Sequence, residues 1–255
     1  MNHHPWELSK SEMALSVLNS HAGSRKLFID FGAGAMYFAA RMAEQWNCEV
    51  FAADAAYENN DIPIPDSRIK IVRSLDELPS GRASAVALMD VMEHVEHNGD
   101  MLRNCVRLLE DGGCLYVTVP AFAHLFSQHD VFLKHLRRYD RKTLLKEFDA
   151  VSEQLELKEC FYFYASLYVL RLAAVIAEKC RSKAGNTAEH SDFCHKKTGC
   201  WAGFSQIAWA FPERHWLTIM LKYVLNADFM LCRFLAHLHL TMPGLSVCLV
   251  YRKLP

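Results

Sequence analysis

The chain has 255 residues, 51% of them hydrophobic, with 28 Lys and Arg against 29 Asp and Glu and a formal charge of −1. That length suits one large domain or one domain with an insertion, and the balanced charge argues against a nucleic-acid binder, which carries a basic excess. Nine cysteines without paired spacing, no basic start followed by an apolar run, and no stretch of the roughly 18 uninterrupted apolar residues that span a bilayer together read as a cytoplasmic protein with reduced thiols.

Residues 1–25 are read as an N-terminal helical segment. From residue 26 to 120 short β-branched runs alternate with helix-period segments, the pattern of a parallel sheet with crossover helices. The expected strands are "KLFID" (26–30), "CEVFAAD" (48–54), "RIKIV" (68–72), "SAVALMD" (84–90) and "CLYVTVP" (114–120). Their near-continuous apolarity is expected where helices cover both faces. Between them "AMYFAARMAEQW" and "HNGDMLRNCVRLLEDGG" predict helices, the second stopped by Gly112 and Gly113. "YDRKTLLKEFDA" predicts another, with Asp140 as N-cap.

"ELKECFYF" (156–163) and "LSVCLVYRK" (245–253) predict two late strands. The stretch between them, 163–243, is too long for a loop and is read as a helical insertion over a substrate site, with the polar run 177–200 as its mobile part. The domain map is thus 26–162 for the main α/β domain and 244–255 for its last strand.

"FIDFGAG" (28–34) places Asp30 at the end of a buried strand and Gly32 and Gly34 in the following turn. The glycines let a ligand approach the backbone, and the next helix offers its N-terminal amides. A dinucleotide fingerprint, G-x-G-x-x-G, fails because its third position falls on Tyr37. Asp30 suits a cationic partner such as an α-ammonium. Asp54, about 20 residues beyond the glycines, can accept both hydroxyls of a ribose. An ammonium, a ribose and no phosphate describe S-adenosylmethionine (SAM).

Those residues, with "ALMDVMEHVEHNGDMLRNCVRLLEDGGCLYVTVPAF", "HDVFLKHLRRYDRKTLLKEF" and the final "PGLSVCLVYRK", resemble class I SAM-dependent methyltransferases, in particular a bacterial small-molecule subgroup. The resemblance implies a Rossmann-like α/β fold, a seven-stranded and mostly parallel sheet of order 3-2-1-4-5-7-6 with helices on both faces. It also implies that Asp30, Gly32 and Gly34 line the methionine side of SAM and that Asp54 binds the ribose. Ser74 and Leu75 would flank adenine, and Asp90 would lie beside the transferred methyl. Departures from the family pattern are Met36 at the third glycine, Ser74 at the adenine acid and Asp111 before the glycine pair.

Beyond the cofactor, Asp90, Glu93 and His94 have the residue types of a carboxylate-rich metal site. The same Glu-His pair also serves as a helix-start packing element, so no metal is expected. His129, with Asp130 beside it and His135 nearby, is the expected general base for an acceptor proton. "KHLRRYDRK" suits an anionic group or a solvated helix start. His190, Cys194, His195 and Cys200 lack the spacing of a zinc site.

The aromatic stripes "FYFYASLYVL" and "WAGFSQIAWAF" suggest an apolar or aromatic small-molecule acceptor, free or linked to a carrier or lipid. Three rivals share part of this pattern: a dehydrogenase, a SAM enzyme cyclising the cofactor's own aminobutyryl chain, and a peripheral membrane or lipid-binding protein.

Overall fold

The computed structural model describes residues 4–58, 62–73, 78, 80–183 and 215–255. Seven strands form one sheet: β1 (Leu27–Phe31), β2 (Glu49–Ala53), β3 (Ile69–Val72), β4 (Ala83–Met89), β5 (Leu109–Pro120), β6 (Leu155–Phe163) and β7 (Ser246–Lys253). Their order is β3-β2-β1-β4-β5-β7-β6. Only β7 runs antiparallel to its neighbours, β5 and β6. This is the order the resemblance implied, and most strands begin and end within a residue or two of the apolar runs.

The start of β5 is different. Helix α3 (Gly99–Leu108) stops before the glycine pair, and Asp111, Gly112 and Gly113 already belong to β5. Leu109 pairs with Ala83, the register then shifts, and Cys114 pairs with Ala85. Gly112, with φ +80°, absorbs this irregularity as a bulge instead of terminating the helix.

Alternation along the strands sorts side chains to two faces. On one face Phe28, Val50, Tyr116, Phe161 and Phe163 pack with residues of α1 (Pro5–His21) and α2 (Tyr37–Trp46). On the other, Ile29, Val86, Leu115, Val117 and Leu249 pack with Leu102 and Cys105 of α3 and with Leu144. The short helix α4 (Gln128–Phe132) and α5 (Arg141–Glu147) follow β5. Asp140 caps α5 as expected, its Oδ1 accepting from the Thr143 amide at 2.7 Å.

Two further helices lie between β6 and β7: α6 (Ala165–Lys183) and α7 (His215–His237). Leu225, Phe229 and Cys232 of α7 are buried in the first core with Phe161 and Phe163, so this helix is a wall of the domain, a role its sequence alone did not reveal. Glu159 of β6 fastens the layer, accepting from Arg233 at 2.5 and 2.8 Å and meeting His21 of α1 at 2.5 Å. Burial alone would raise the Glu159 pKa, but His21 and Arg233 more than offset it and hold the carboxyl at about 2.

Among the described residues no helix is long and apolar enough to cross a membrane. Residues 184–214, which include the second aromatic stripe and the His190, Cys194, His195 and Cys200 group, lie outside the described residues.

Candidate active site

The carboxyl ends of β1 and β2 meet at the glycine turn. The amides of Gly32 and Ala33 both donate to the Ala53 carbonyl, at 2.7 and 3.3 Å, closing the turn onto the neighbouring strand. Gly32 and Gly34 have φ +72° and +49°, the left-handed region in which a side chain is strained. Met36 also takes that conformation, at φ 59°, immediately before α2. Its side chain is fully buried in the α1–α2 core, so packing offsets the cost that a glycine here would avoid.

Tyr37 lies at the outer side of α2, partly exposed, with its hydroxyl 3.4 Å from Arg41 Nη1. Phe38, Ala39 and Met42 make the buried face. Tyr37 therefore does not block close helix-to-strand packing. The sequence argument against a dinucleotide is corrected on that point, because the helix turns its first residue away from the sheet.

Asp30 is 2% exposed, and its Oδ2 has no hydrogen-bond partner among the described residues. Burial, then the nearby Asp54 carboxylate, push its pKa up to about 8, only partly offset by the Ala39 amide. Its Oδ2 is thus left wanting a cation or a donor. Asp54 is well anchored by contrast: Oδ2 accepts from the Gly34 amide at 2.9 Å and Oδ1 from the Ala56 amide at 2.8 Å. Each oxygen keeps a further acceptor position, so the carboxylate is oriented and can still receive hydroxyl donors. The two acids thus flank the turn with one face wanting positive charge and the other wanting donors.

Asp90 follows β4 with φ 56°, and its amide donates to the Thr118 carbonyl at 2.9 Å. Its carboxylate forms an ion pair with Lys10 of α1, a residue that sequence reasoning missed. Lys10, Ser9 and Ser11 are buried despite their polarity, an inward polar face on α1 that was the available signal. Ser9 shares a 2.8 Å hydrogen bond with the Tyr164 hydroxyl. Ser74 and Leu75, expected at adenine, lie outside the described residues.

The segment after β5 converges on Asp130. This fully buried carboxylate meets Arg138 Nε at 2.7 Å, Arg171 Nη2 of α6 at 2.8 Å, His135 Nδ1 at 3.0 Å and the Ser127 amide at 3.0 Å. Burial alone would raise its pKa, but His135, Arg138 and the Ser127 amide outweigh burial and hold it well below the usual carboxylate range.

The expected pairing of Asp130 with His129 is therefore corrected: the acid orients His135, because the chain turns back at Lys134, φ 59°, and returns His135 to it. Burial, then Arg171, push the His129 pKa down to about 4, leaving it neutral near pH 7.

Glu93 sits in the short turn Met92–His94 after Asp90, fully buried, with neither oxygen hydrogen-bonded among the described residues. Burial and Asp90 push its pKa well above the usual range. His94, which follows it, is exposed.

The sequence profile of the family described as "Methyltransferase domain" matches residues 12–153, more than half of the chain. A search of curated proteins found no match. Among solved structures, geranyl diphosphate C-methyltransferase from Streptomyces coelicolor A3(2), solved with Mg2+, geranyl diphosphate and S-adenosyl-L-homocysteine, superposes with TM-score 0.54 at 12% identity, over 96% of this chain and 79% of that one. A SAM dependent methyltransferase from Archaeoglobus fulgidus gives 0.51 at 13% identity, over 95% and 92%.

Phosphoethanolamine N-methyltransferase 2 of Haemonchus contortus, solved with SAM, gives 0.50 at 12% identity; the match takes in 96% of this chain but only 53% of that one. At such identities the superpositions establish the fold. With the profile covering β1 through α5 and the glycine turn and its acids inside that span, the chain belongs to the methyltransferase-domain family.

Proposed function

We propose that the protein moves the methyl group of SAM to a small, apolar or aromatic acceptor. The observation that carries this reading is the pair Asp30 and Asp54 on either side of the Gly32–Gly34 turn, with Asp30 Oδ2 buried and unpartnered among the described residues. A buried carboxylate needs a cation or donor, and the α-ammonium of SAM supplies both. The ribose hydroxyls would donate to Asp54, already oriented by two amides. A diphosphate at this turn would meet the Asp54 carboxylate and, in Asp30, a buried acid with no positive charge to offer.

The reaction would be an in-line displacement in which an acceptor lone pair attacks the sulfonium methyl and S-adenosylhomocysteine leaves. The sulfonium is already a strong electrophile, so the protein mainly aligns the reactants and excludes water. His129 is neutral near pH 7 and able to accept a proton, but a pKa of about 4 makes it a weak base; its share in the rate is accordingly small. An aromatic acceptor is supported by rings gathered after β5: Phe122 stacks on Tyr162 at 4.6 Å and meets Tyr168 edge-on at 5.6 Å.

Titration calorimetry with S-adenosylhomocysteine tests the donor. One equivalent is expected to bind, and the double variant Asp30→Asn, Asp54→Asn is expected to lose about 100-fold or more in affinity, given two or three charge-assisted hydrogen bonds at about 1.5–3 kcal/mol each. Unchanged uptake by the double variant overturns the reading. Turnover products discriminate further: methylthioadenosine in place of S-adenosylhomocysteine means chemistry on the aminobutyryl chain.

A pH dependence follows from Asp30. Its proton is held in the free protein up to about pH 8, and a bound ammonium favours the ionised form, so binding releases a proton at lower pH. Affinity should therefore rise from pH 5 to 7, by at most about tenfold per unit. Asp30→Asn should flatten the slope; a wild-type affinity independent of pH over this range would show that Asp30 does not face the ammonium.

A further inference from the structure

We propose that Glu93, His94 and His135 bind one divalent first-row transition ion, of the Zn2+ class by their donor set. One donor atom from each residue lies within 4.8 Å of the other two. His135 Nε2 is 4.0 Å from Glu93 Oε1. Ligand atoms about 2.0–2.1 Å from a tetrahedral zinc stand roughly 3.4 Å apart, so side-chain rotations that draw the three donors together close the set.

Two independent features point to a cation. Glu93 is fully buried, and both of its oxygens lack hydrogen-bond partners among the described residues, an arrangement unfavourable to a charged carboxylate unless a positive charge or proton arrives. Each imidazole already has its Nδ1 engaged: His135 with Asp130 Oδ1 at 3.0 Å and His94 with the Lys134 carbonyl at 3.3 Å. That leaves Nε2 as the nitrogen for a ligand bond, the outer-shell arrangement typical of metal-bound histidines. The backbone holds the two segments together, since the Leu136 amide donates to the Glu93 carbonyl at 2.8 Å and the His135 amide to the Asp130 carbonyl at 2.9 Å.

Neighbouring cations are engaged elsewhere. Lys10 pairs with Asp90, and Arg138 binds Asp130 and the Ala121 carbonyl. The sequence grouped Asp90 with Glu93 and His94 by residue type, with no metal expected; the fold turns Asp90 to Lys10 and sets His135 beside Glu93 and His94. Two imidazoles and one carboxylate suit zinc and its neighbours better than Mg2+ or Ca2+, which prefer all-oxygen shells. Three protein ligands leave a coordination position open, and exposed His94 marks the side from which it is reached.

The role of the ion rests on the methyl-transfer reading; its binding does not. An acceptor hydroxyl or thiol bound at the open position would release its proton to solvent. Its lone pair would form the new bond to the methyl carbon, and the electrons of the breaking carbon–sulfur bond would stay on the sulfur of S-adenosylhomocysteine.

The test uses the full chain freed of metal by a chelator, titrated with Co2+ by visible absorption and with Zn2+ by calorimetry, with S-adenosylhomocysteine uptake measured in parallel. About one ion per chain is expected. His94→Ala, at an exposed position, and Glu93→Gln should each weaken binding by more than about tenfold while S-adenosylhomocysteine uptake persists. Absence of Co2+ bands and Zn2+ heat in the wild type overturns the proposal, as does an unchanged ion affinity in His94→Ala. Ion binding without S-adenosylhomocysteine uptake would support the site and count only against the methyl-donor reading.

Discussion

Asp130→Ala is expected to destabilise the protein by about 3–5 kcal/mol, the usual cost of stranding charges from a buried ion pair. The carboxylate is fully buried and holds Arg138, Arg171 and His135 at once. Its removal leaves two guanidinium groups facing each other, and α6 loses the contact that Arg171 makes to Asp130. Denaturant titration reads the effect as a lowered midpoint.

Asp130→Asn should cost less, since the amide oxygen still accepts. The pH sense is fixed by the lowered pKa of Asp130: its contribution is complete above the unfolded value near 4 and is lost as pH falls through the folded value. The variant should therefore be less acid-sensitive than the wild type. A stability within about 1 kcal/mol of wild type would mean that the cluster is not a structural hub.

Gly32→Ala should nearly abolish activity. A Cβ there would stand 2.5 Å from Val91 Cγ2, and φ +72° adds roughly 1–2 kcal/mol for any L-residue with a side chain. Relieving the overlap moves either the turn that places Asp30 and Asp54 or the segment carrying Asp90 and Glu93. A displacement near 1 Å in such a site can cost about 100-fold in kcat/KM, and a loss of that size is expected, with weaker S-adenosylhomocysteine binding. Adding Val91→Ala should restore part of it, because it removes the collision and leaves the backbone strain. A single Gly32→Ala variant that binds as tightly as wild type would show that the turn is not the cofactor's seat.

Much of the architecture was legible in the chain. Strands such as Leu27–Phe31 and Ala83–Met89 are short β-branched or apolar runs, and their period is a local property that a single segment carries. The glycine turn, Asp30 and Asp54 were legible for the same reason: they lie at the ends of those runs. The sheet order came from resemblance alone, since alternation sorts side chains to faces without saying which strands are neighbours. "EDGG" misled, because glycines that permit a left-handed backbone serve a strand bulge as readily as a helix stop.

What only the tertiary structure decided is which distant side chains meet. Arg171 directly follows the apolar stripe of residues 161–170 and is the anchor of its helix to Asp130, 41 residues away. Lys10 reaches Asp90 across 80 residues. Asp130 chooses His135 over the adjacent His129 because of one left-handed turn at Lys134. Hydrophobic period determines which face a residue takes, and each segment carries that information within itself. Charge pairing depends on strand register, helix position and the direction of a turn, quantities that exist only once all the segments have packed.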